Sequence, residues 1–498
     1  MNGRPIAALA GLACAGSALA AAQLTAAAVA PGSAPVAAVG AVMVDAVPEP
    51  VKAFAIRTFG VHDKLVLFIG IGLVLASAAA AVGVLARRRI AVGYTALALL
   101  GATGAAAALS RPAAAAAWAL PSLVGAVAGA LVLRMLYRRP SAAPPPVPGR
   151  VVDRRGVLIA LAGAGAVGAA GWRLGGTGEV ETARGAVRLP EPIDAGPAGE
   201  GLDVEGLTPY LTPNAEFYRV DTALVLPQVL PDDYRLRVTG RVDRPLEFAY
   251  QDLLDRDLVE REITISCVSN EVGGTLAGNA RWLGVPLAEL LEEAGVRPGA
   301  DQVVGRSHDG WTAGTPTSAC TDGRDALVAV GMNGEPLPIE HGFPVRMIVP
   351  GLYGYVSATK WLVEIELASF ADFDPYWVRR DWAAEAPIKT FSRIDTPKPL
   401  RTIAAGRTAV AGVAWAQRRG IDRVEVRVDE GPWAEADLAP VIGPDTWRQW
   451  LWEWDAAPGR HKLEVRATDA AGDTQTEERV TPFPDGATGW HSVVVTAA

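Results

Sequence analysis

The chain has 498 residues, 50% of them hydrophobic and 20% charged, with a formal net charge of −8. That is too apolar for a disordered chain and for an ordinary soluble enzyme of this size. The charge is divided: residues 1–175 carry 15 Lys and Arg against 4 Asp and Glu, a net of +11, and residues 176–498 carry 31 against 50, a net of −19. An acidic larger part excludes nucleic acid as a partner on charge grounds.

Three cysteines, Cys14, Cys267 and Cys320, exclude a disulfide framework and a Cys-rich structural zinc site. The five histidines never occur as HExxH, and none sits inside an uncharged apolar run, so no His-ligated haem is expected within a helical bundle.

In chain order, residues 5–30, 65–86, 90–110 and 112–133 are apolar runs long enough to cross a bilayer. A fifth run, 156–172, is shorter and rich in Gly and Ala. The first run reads equally as a cleaved export signal. Arg87, Arg88 and Arg89 follow the second run, and Arg134, Arg138, Arg139, Arg150, Arg154 and Arg155 precede the fifth. Positive charge marks the cytoplasmic side. Five spans then place the N-terminus inside, loop 31–64 outside, and everything after about residue 172 outside the cytoplasm. The Arg154-Arg155 pair ahead of a weakly apolar helix reads either as an internal twin-arginine export signal or as a positive-inside anchor. A Pro-rich linker covers 140–150, and 173–205 reads as a Gly/Pro/Glu spacer.

From Tyr234 the pattern becomes mixed α/β. Tyr234–Gly240, Glu262–Cys267, Val345–Val349 and Trp361–Leu367 read as strands, and Pro286–Gly295 as a helix stopped by its glycine. Cys267 ends a strand and opens the loop Val-Ser-Asn-Glu-Val-Gly-Gly. A lone cysteine is ordinarily a small buried hydrophobe. A single thiolate without companion ligands also suits a metal whose other donors come from a cofactor. The Gly-rich turn Pro350–Gly354, bracketed by His341, Arg346 and Lys360, is either a surface that holds a phosphate or a plain β-turn among solvated charges. Beyond residue 400, period-two runs at 423–428, 450–454 and 462–467 indicate an antiparallel sandwich of immunoglobulin type, and its tryptophans suit a core or an interface equally.

Four segments, Thr212–Arg219, Ile265–Asn270, Gly278–Pro286 and Met332–Arg346, with Val349–Gly354 and Lys360-Trp361-Leu362, resemble the sulfite oxidase family of molybdopterin enzymes in order and spacing. With the apolar front and the period-two tail, the resemblance gives an enzyme of three parts: an N-terminal α-helical membrane bundle (1–172) read from the apolar runs, a mixed α/β molybdopterin domain (206–398) that the resemblance implies, and a C-terminal immunoglobulin-like domain (399–498) that resembles the family's dimerisation domain. It implies that Cys267 is the single protein ligand to molybdenum and that Arg219, His341, Arg346 and Lys360 surround the pterin and its phosphate. Asn214, Tyr218, Asp309 and Thr359 carry over as further cofactor contacts, and Arg219 also as a catalytic anion anchor. The implied reaction is oxygen-atom transfer on a small, sulfur-containing substrate, with electrons passing to or from a separate haem protein or quinone, because the HPGG haem signature does not occur. A homodimer and a monomer whose sheets only buttress the middle domain both stay open. The loop after Cys267 carries Glu271 where sulfite oxidases carry arginine, which argues against sulfite and resembles periplasmic methionine sulfoxide reductases; oxidation of sulfite and reduction of a sulfoxide both stay open. The rival class is a metal-free, membrane-tethered adaptor on the same scaffold.

Overall fold

The computed structural model describes residues 4–48, 51, 54, 58, 63–112, 114–138, 151–152, 154–174 and 177–498. The Pro-rich linker 140–150, His62 and Asp153 lie outside the described residues. The chain forms two units, Met1–Thr182 with Thr222–Gln228, and Ala183–Asp221 with Val229–Ala498.

The first unit is helical. Among the described residues, four helices are long and apolar enough to cross a membrane: Arg4–Val29, Lys64–Ala86, Ile90–Leu109 and Ala116–Leu136. The fifth expected run lies within the helix Arg154–Leu174, whose apolar part, Arg155–Gly168, is shorter. Loop 31–64 contains the apolar helix Pro35–Ala46. Its twelve residues are too few to read as a span, and so it left no signal of the length sought. Small residues let the helices close together: a Cβ on Gly11 would run into the Ala79 carbonyl, and one on Gly83 into the Ala7 carbonyl. Tyr137 is fully buried and donates its hydroxyl to the carbonyls of Gly83 (2.8 Å) and Ala7 (3.0 Å). Outward-facing side chains are apolar, Leu73, Val74 and Leu99 being more than three-fifths exposed. Within this unit Lys64 Nζ donates to Ala223 O at 2.7 Å, and Val225 packs on Ala26, Ala34 and Ala37.

The second unit holds four sheets. In the first, strands follow the order Glu335–Pro336, Leu327–Met332, Ala277–Pro286, Val259–Ser266 and Asp194–Ala195, with Arg346–Ile348 also on Leu327–Met332. In the second the order is Leu246–Ala249, Arg235–Gly240, Leu362–Ala368, Gln302–Ser307 and Thr312–Pro316. The helix Leu287–Ala294 ends at Gly295, whose φ of 73° takes the left-handed cap that glycine favours. The expected spacer 173–205 is not structureless: Thr177–Ala186 is helical and Asp194–Ala195 adds a parallel strand beside Val259–Glu260. Asp194 stays exposed on the sheet edge, where Arg261 pairs with it at 2.6 Å.

The last two sheets are built from Phe391–Thr396, Gly406–Trp415, Arg448–Ala456 and Asp437–Leu438, and from Thr402–Ile403, His491–Ala497, Gly459–Asp469, Ile421–Val428 and Ala434–Glu435. They begin at Phe391, before the expected boundary at 399, because Phe391–Thr396 pairs with Gly406–Trp415. Their apolar faces enclose Val410, Val424, Trp450, Leu463 and Val493. Trp415 and Trp447 instead join the core of the mixed α/β part, so the two parts share buried surface.

Candidate active site

Cys267 follows the strand Val259–Ser266, whose inner residues Ile263–Ser266 are all buried. The chain turns at once: Asn270 N donates to Cys267 O (3.1 Å), Cys267 N to Leu276 O (2.9 Å), and Leu276 N to Asn270 Oδ1 (2.8 Å). The thiol is 9% exposed, and burial pushes its pKa up while Ser269 opposes that shift.

The segment 212–221 crosses beside it. Phe217 is fixed by edge-on contacts with Trp282 (5.8 Å) and His341 (5.5 Å) and by stacking on Tyr218 (5.3 Å). The Tyr218 phenol is held protonated by burial and by Cys267, with Arg346 opposing. Tyr218 therefore lies within the electrostatic reach of both the thiol and the guanidinium. A Cβ on Gly354 would stand 3.6 Å from both Tyr218 Oη and Ser266 O, so the Gly-rich turn packs on the same place.

His341 donates through Nε2 to Asn214 O at 2.9 Å, given that the acceptor is a carbonyl. Its pKa is pushed down to about 4 by burial first and by Arg346 next, so the ring is neutral. Arg346 is 4% exposed, donates Nη1 to His341 O (3.1 Å) and lies 4.8 Å over the Trp282 ring. Burial lowers its pKa to about 10. Among the described residues no carboxylate pairs with it, and its Nε has no hydrogen-bond partner. Lys360 Nζ reaches Asp221 Oδ2 (2.8 Å) and Glu340 O (3.2 Å), and burial lowers its pKa to about 8 despite Asp221. Arg219 Nε also binds Asp221 Oδ2, at 2.9 Å, with two-fifths of its side chain exposed. Thr359 is fully buried, and its Oγ1 has no partner. Asp309 Oδ1 accepts Trp311 N (3.1 Å) in a turn tied to Trp361 through His308 N.

Thr212–Asp221, Cys267, His341, Arg346 and Thr359–Trp361 thus converge. Asn214 joins them through its backbone carbonyl. Its amide is committed to Glu335 Oε1 (2.6 Å), Met332 O and Asn333 Nδ2, so it holds a turn, and only its backbone carbonyl reaches His341. Glu271 is exposed, and its carbonyl closes the loop onto Gly274 N. Sequence reasoning missed Asp221, a side chain only 4% exposed that binds both Arg219 and Lys360. Its signal was the two-residue offset from Arg219, which in an extended segment returns a side chain to the same face.

Residues 223–377 match the model of the oxidoreductase molybdopterin binding domain. An uncharacterized oxidoreductase, YuiH, of Bacillus subtilis is 34% identical over 149 residues, 30% of this chain and 72% of that protein. The chain belongs to the sulfite oxidase family of molybdopterin oxidoreductases. Mitochondrial sulfite oxidase of Rattus norvegicus is 30% identical over 311 residues, covering 54% of this chain and 55% of the relative. The chain thus spans about half the length of the mitochondrial sulfite oxidases it matches. The sulfane dehydrogenase SoxCD of Paracoccus pantotrophus shares the fold, with a TM-score of 0.52 and 24% identity over 59% of this chain and 85% of that one.

As a member of that family the protein takes molybdopterin as its cofactor, and the residues present fit it. A phosphorylated pterin is anionic and rich in hydrogen-bonding groups. Arg346 is a buried cation without a carboxylate, and the buried Ser307 Oγ and Thr359 Oγ1 lack partners. Such groups are costly unless a ligand satisfies them. Among the described residues no three His, Cys, Asp or Glu side chains group to hold a metal.

Proposed function

We propose that this protein is a membrane-anchored molybdopterin oxidoreductase that moves an oxygen atom to or from a small, sulfur-containing substrate outside the cytoplasm. The observation that carries the reading is the pairing of a buried strand-end thiol, Cys267, with a buried guanidinium, Arg346, that has no counter-anion among the described residues. Cys267 would ligate molybdenum. Arg346, Lys360 and Thr359 would hold the pterin and its phosphate, with His341 and Tyr218 shaping the wall beside them. When bound, the cofactor supplies two-electron oxygen-atom transfer chemistry. The residues of the chain bind and orient it, exclude water from the thiol side, and keep the Tyr218 phenol and the His341 Nε2 protonated.

Supporting the anchor are the four apolar helices, their outward-facing Leu and Val side chains, and the arginines at Arg87–Arg89 and Arg154-Arg155. An odd number of crossings, with Arg154–Leu174 as the fifth, keeps both arginine groups inside and the acidic domain outside. The C-terminal sheets read as an immunoglobulin-like sandwich, the domain bounds being 1–172, 206–390 and 391–498. Electrons would pass to a separate haem protein or quinone, and a homodimer through the sandwich fits the same reading.

A second reading within this class, reduction of a neutral sulfoxide rather than oxidation of sulfite, is favoured by one contact. Asp221 binds Arg219, so the guanidinium that would anchor an anionic substrate is already paired with a carboxylate, where a dianion needs unpaired positive charge.

The test is Cys267→Ser in the full chain. The variant should fold, as followed by thermal unfolding, and should lose activity and most of its molybdenum by elemental analysis. Full molybdenum content in the variant would refute the ligand role.

A further inference from the structure

The strand that delivers Cys267 and the loop that leaves it are both gripped from the C-terminal sheets. Thr264, three residues before the thiol, has every polar group occupied. Its N–H donates to Asp445 O (2.9 Å), and its carbonyl accepts Gln417 Nε2 (2.9 Å). Its hydroxyl oxygen accepts Trp447 N (2.7 Å) and donates to Asn279 Oδ1 (3.0 Å). Three of these four partners belong to the C-terminal part, 153 to 183 residues away in sequence.

The outgoing loop is held by another pair. Arg393 Nη1 donates to Gly274 O at 2.8 Å. Arg393 is 5% exposed and is aimed by Asp395 Oδ1 (2.6 Å) and Thr208 Oγ1 (3.0 Å). Asp395 in turn accepts Thr208 N (3.2 Å), so the guanidinium cannot swing without breaking a closed ring of bonds. Beside it, the His491 ring lies against Gly273, whose φ is 79°. A Cβ there would run into His491 Cδ2 and Nε2. His491 Nδ1 accepts Ile394 N (3.0 Å), which fixes the tautomer and the plane of the ring. At Gly274 a Cβ would lie 2.6 Å from Asn270 Oδ1, the atom that closes the loop onto Leu276. The two adjacent glycines are therefore the places where the brace and the loop touch.

We propose that Arg393 and His491 are positioning residues for Cys267: from the C-terminal sheets they set the path of loop 268–276 and thereby the direction in which the thiolate meets the metal. The inference rests on the reading of Cys267 as the metal ligand. The C-terminal sheets then act on the metal site within a single chain, apart from any assembly they support. Displacement of a reacting group by about 1 Å costs on the order of a hundredfold in rate, so a small shift of the loop is readable.

The experiment uses the full-length holoprotein in detergent, as wild type, Arg393→Gln, Arg393→Lys, Gly273→Ala, and Gly273→Ala with His491→Ala. Arg427→Gln, on the far sheet and outside the site, is the control for a general loss of stability. Molybdenum content, thermal unfolding and the Mo(V) paramagnetic resonance spectrum are read on each. The expected result is that Arg393→Gln and Gly273→Ala retain molybdenum but show displaced Mo(V) g-values and a kcat lower by about tenfold or more at little changed KM. Arg393→Lys should restore part of the spectrum. Removal of the His491 ring should return the Gly273→Ala spectrum only partway to wild type, because the clash is relieved while the loop loses the ring that sets its path. Arg427→Gln should leave the spectrum unchanged. If Arg393→Gln does not fold, the Gly273 pair decides. Spectra of Gly273→Ala and of every folded Arg393 variant superimposable on wild type, with molybdenum present, would overturn the positioning role while leaving the Cys267 reading standing. A wild-type protein without molybdenum would overturn that reading, and the positioning role with it.

Discussion

Arg346→Gln should have opposite effects on the empty and the loaded protein. In the cofactor-free chain the guanidinium is buried at 4% exposure with no counter-anion, and burial lowers its pKa to about 10. That shift corresponds to about 3 kcal/mol against the charged form. The side chain regains about 1 kcal/mol over the Trp282 ring and about 1 kcal/mol from its bond to His341 O. Replacing it by glutamine should therefore leave the cofactor-free protein as stable as wild type, or about 1 kcal/mol more stable, as for other unpaired buried charges. In the loaded protein the variant loses charge-assisted hydrogen bonds of about 1.5–3 kcal/mol each. Cofactor affinity should then fall by about ten- to a hundredfold per bond. The assay is denaturant unfolding of protein made in a host unable to synthesise molybdopterin, alongside pterin fluorescence and molybdenum content of protein made in a competent host. A cofactor-free variant destabilised by several kcal/mol with undiminished loading would show that Arg346 is structural, and the reasoning from its missing counter-anion would fail.

Gly278→Ala places a Cβ 2.7 Å from Cε2 of the Phe217 ring. Overpacking of about 1–3 kcal/mol should lower the unfolding midpoint; an unchanged midpoint would mean that Phe217 moves freely. His341, with its pKa pushed down to about 4, stays neutral in the folded protein down to that pH, while the unfolded chain takes up a proton at about 6.5. Its contribution is present in full above pH 6.5 and is lost as pH falls towards 4, up to about 3 kcal/mol. The stability difference between pH 7 and pH 5 should therefore be smaller in His341→Gln than in wild type, and equal differences would contradict the assignment. Arg407→Ala removes a fully exposed partner of Glu453 and should leave the unfolding midpoint where it is.

Much of the site was legible because its parts are local. Alternation placed Cys267 at a strand end, Gly295 marked a helix stop, and the order of segments from Thr212 to Lys360 carried the resemblance. Long apolar runs likewise revealed the four spanning-length helices. What was not legible depends on partners far apart in sequence. Asp221 reads as one acid among many until it is seen binding Lys360, 139 residues on. Thr264 reads as an ordinary strand residue, and only the fold brings Asp445, Gln417 and Trp447 to it. Trp415 and Trp447 were assigned to a sandwich core or an interface, whereas they fill the core of the mixed α/β part. The helix Pro35–Ala46 escaped because only runs long enough to span a bilayer were sought.

The central claim is that the Cys267 sulfur is bonded to molybdenum. Molybdenum-edge X-ray absorption of the holoprotein counts the sulfur neighbours of the metal directly. Wild type should show one sulfur more than Cys267→Ser reconstituted with the same cofactor, at bonding distance. An identical sulfur count in the two proteins would contradict the claim.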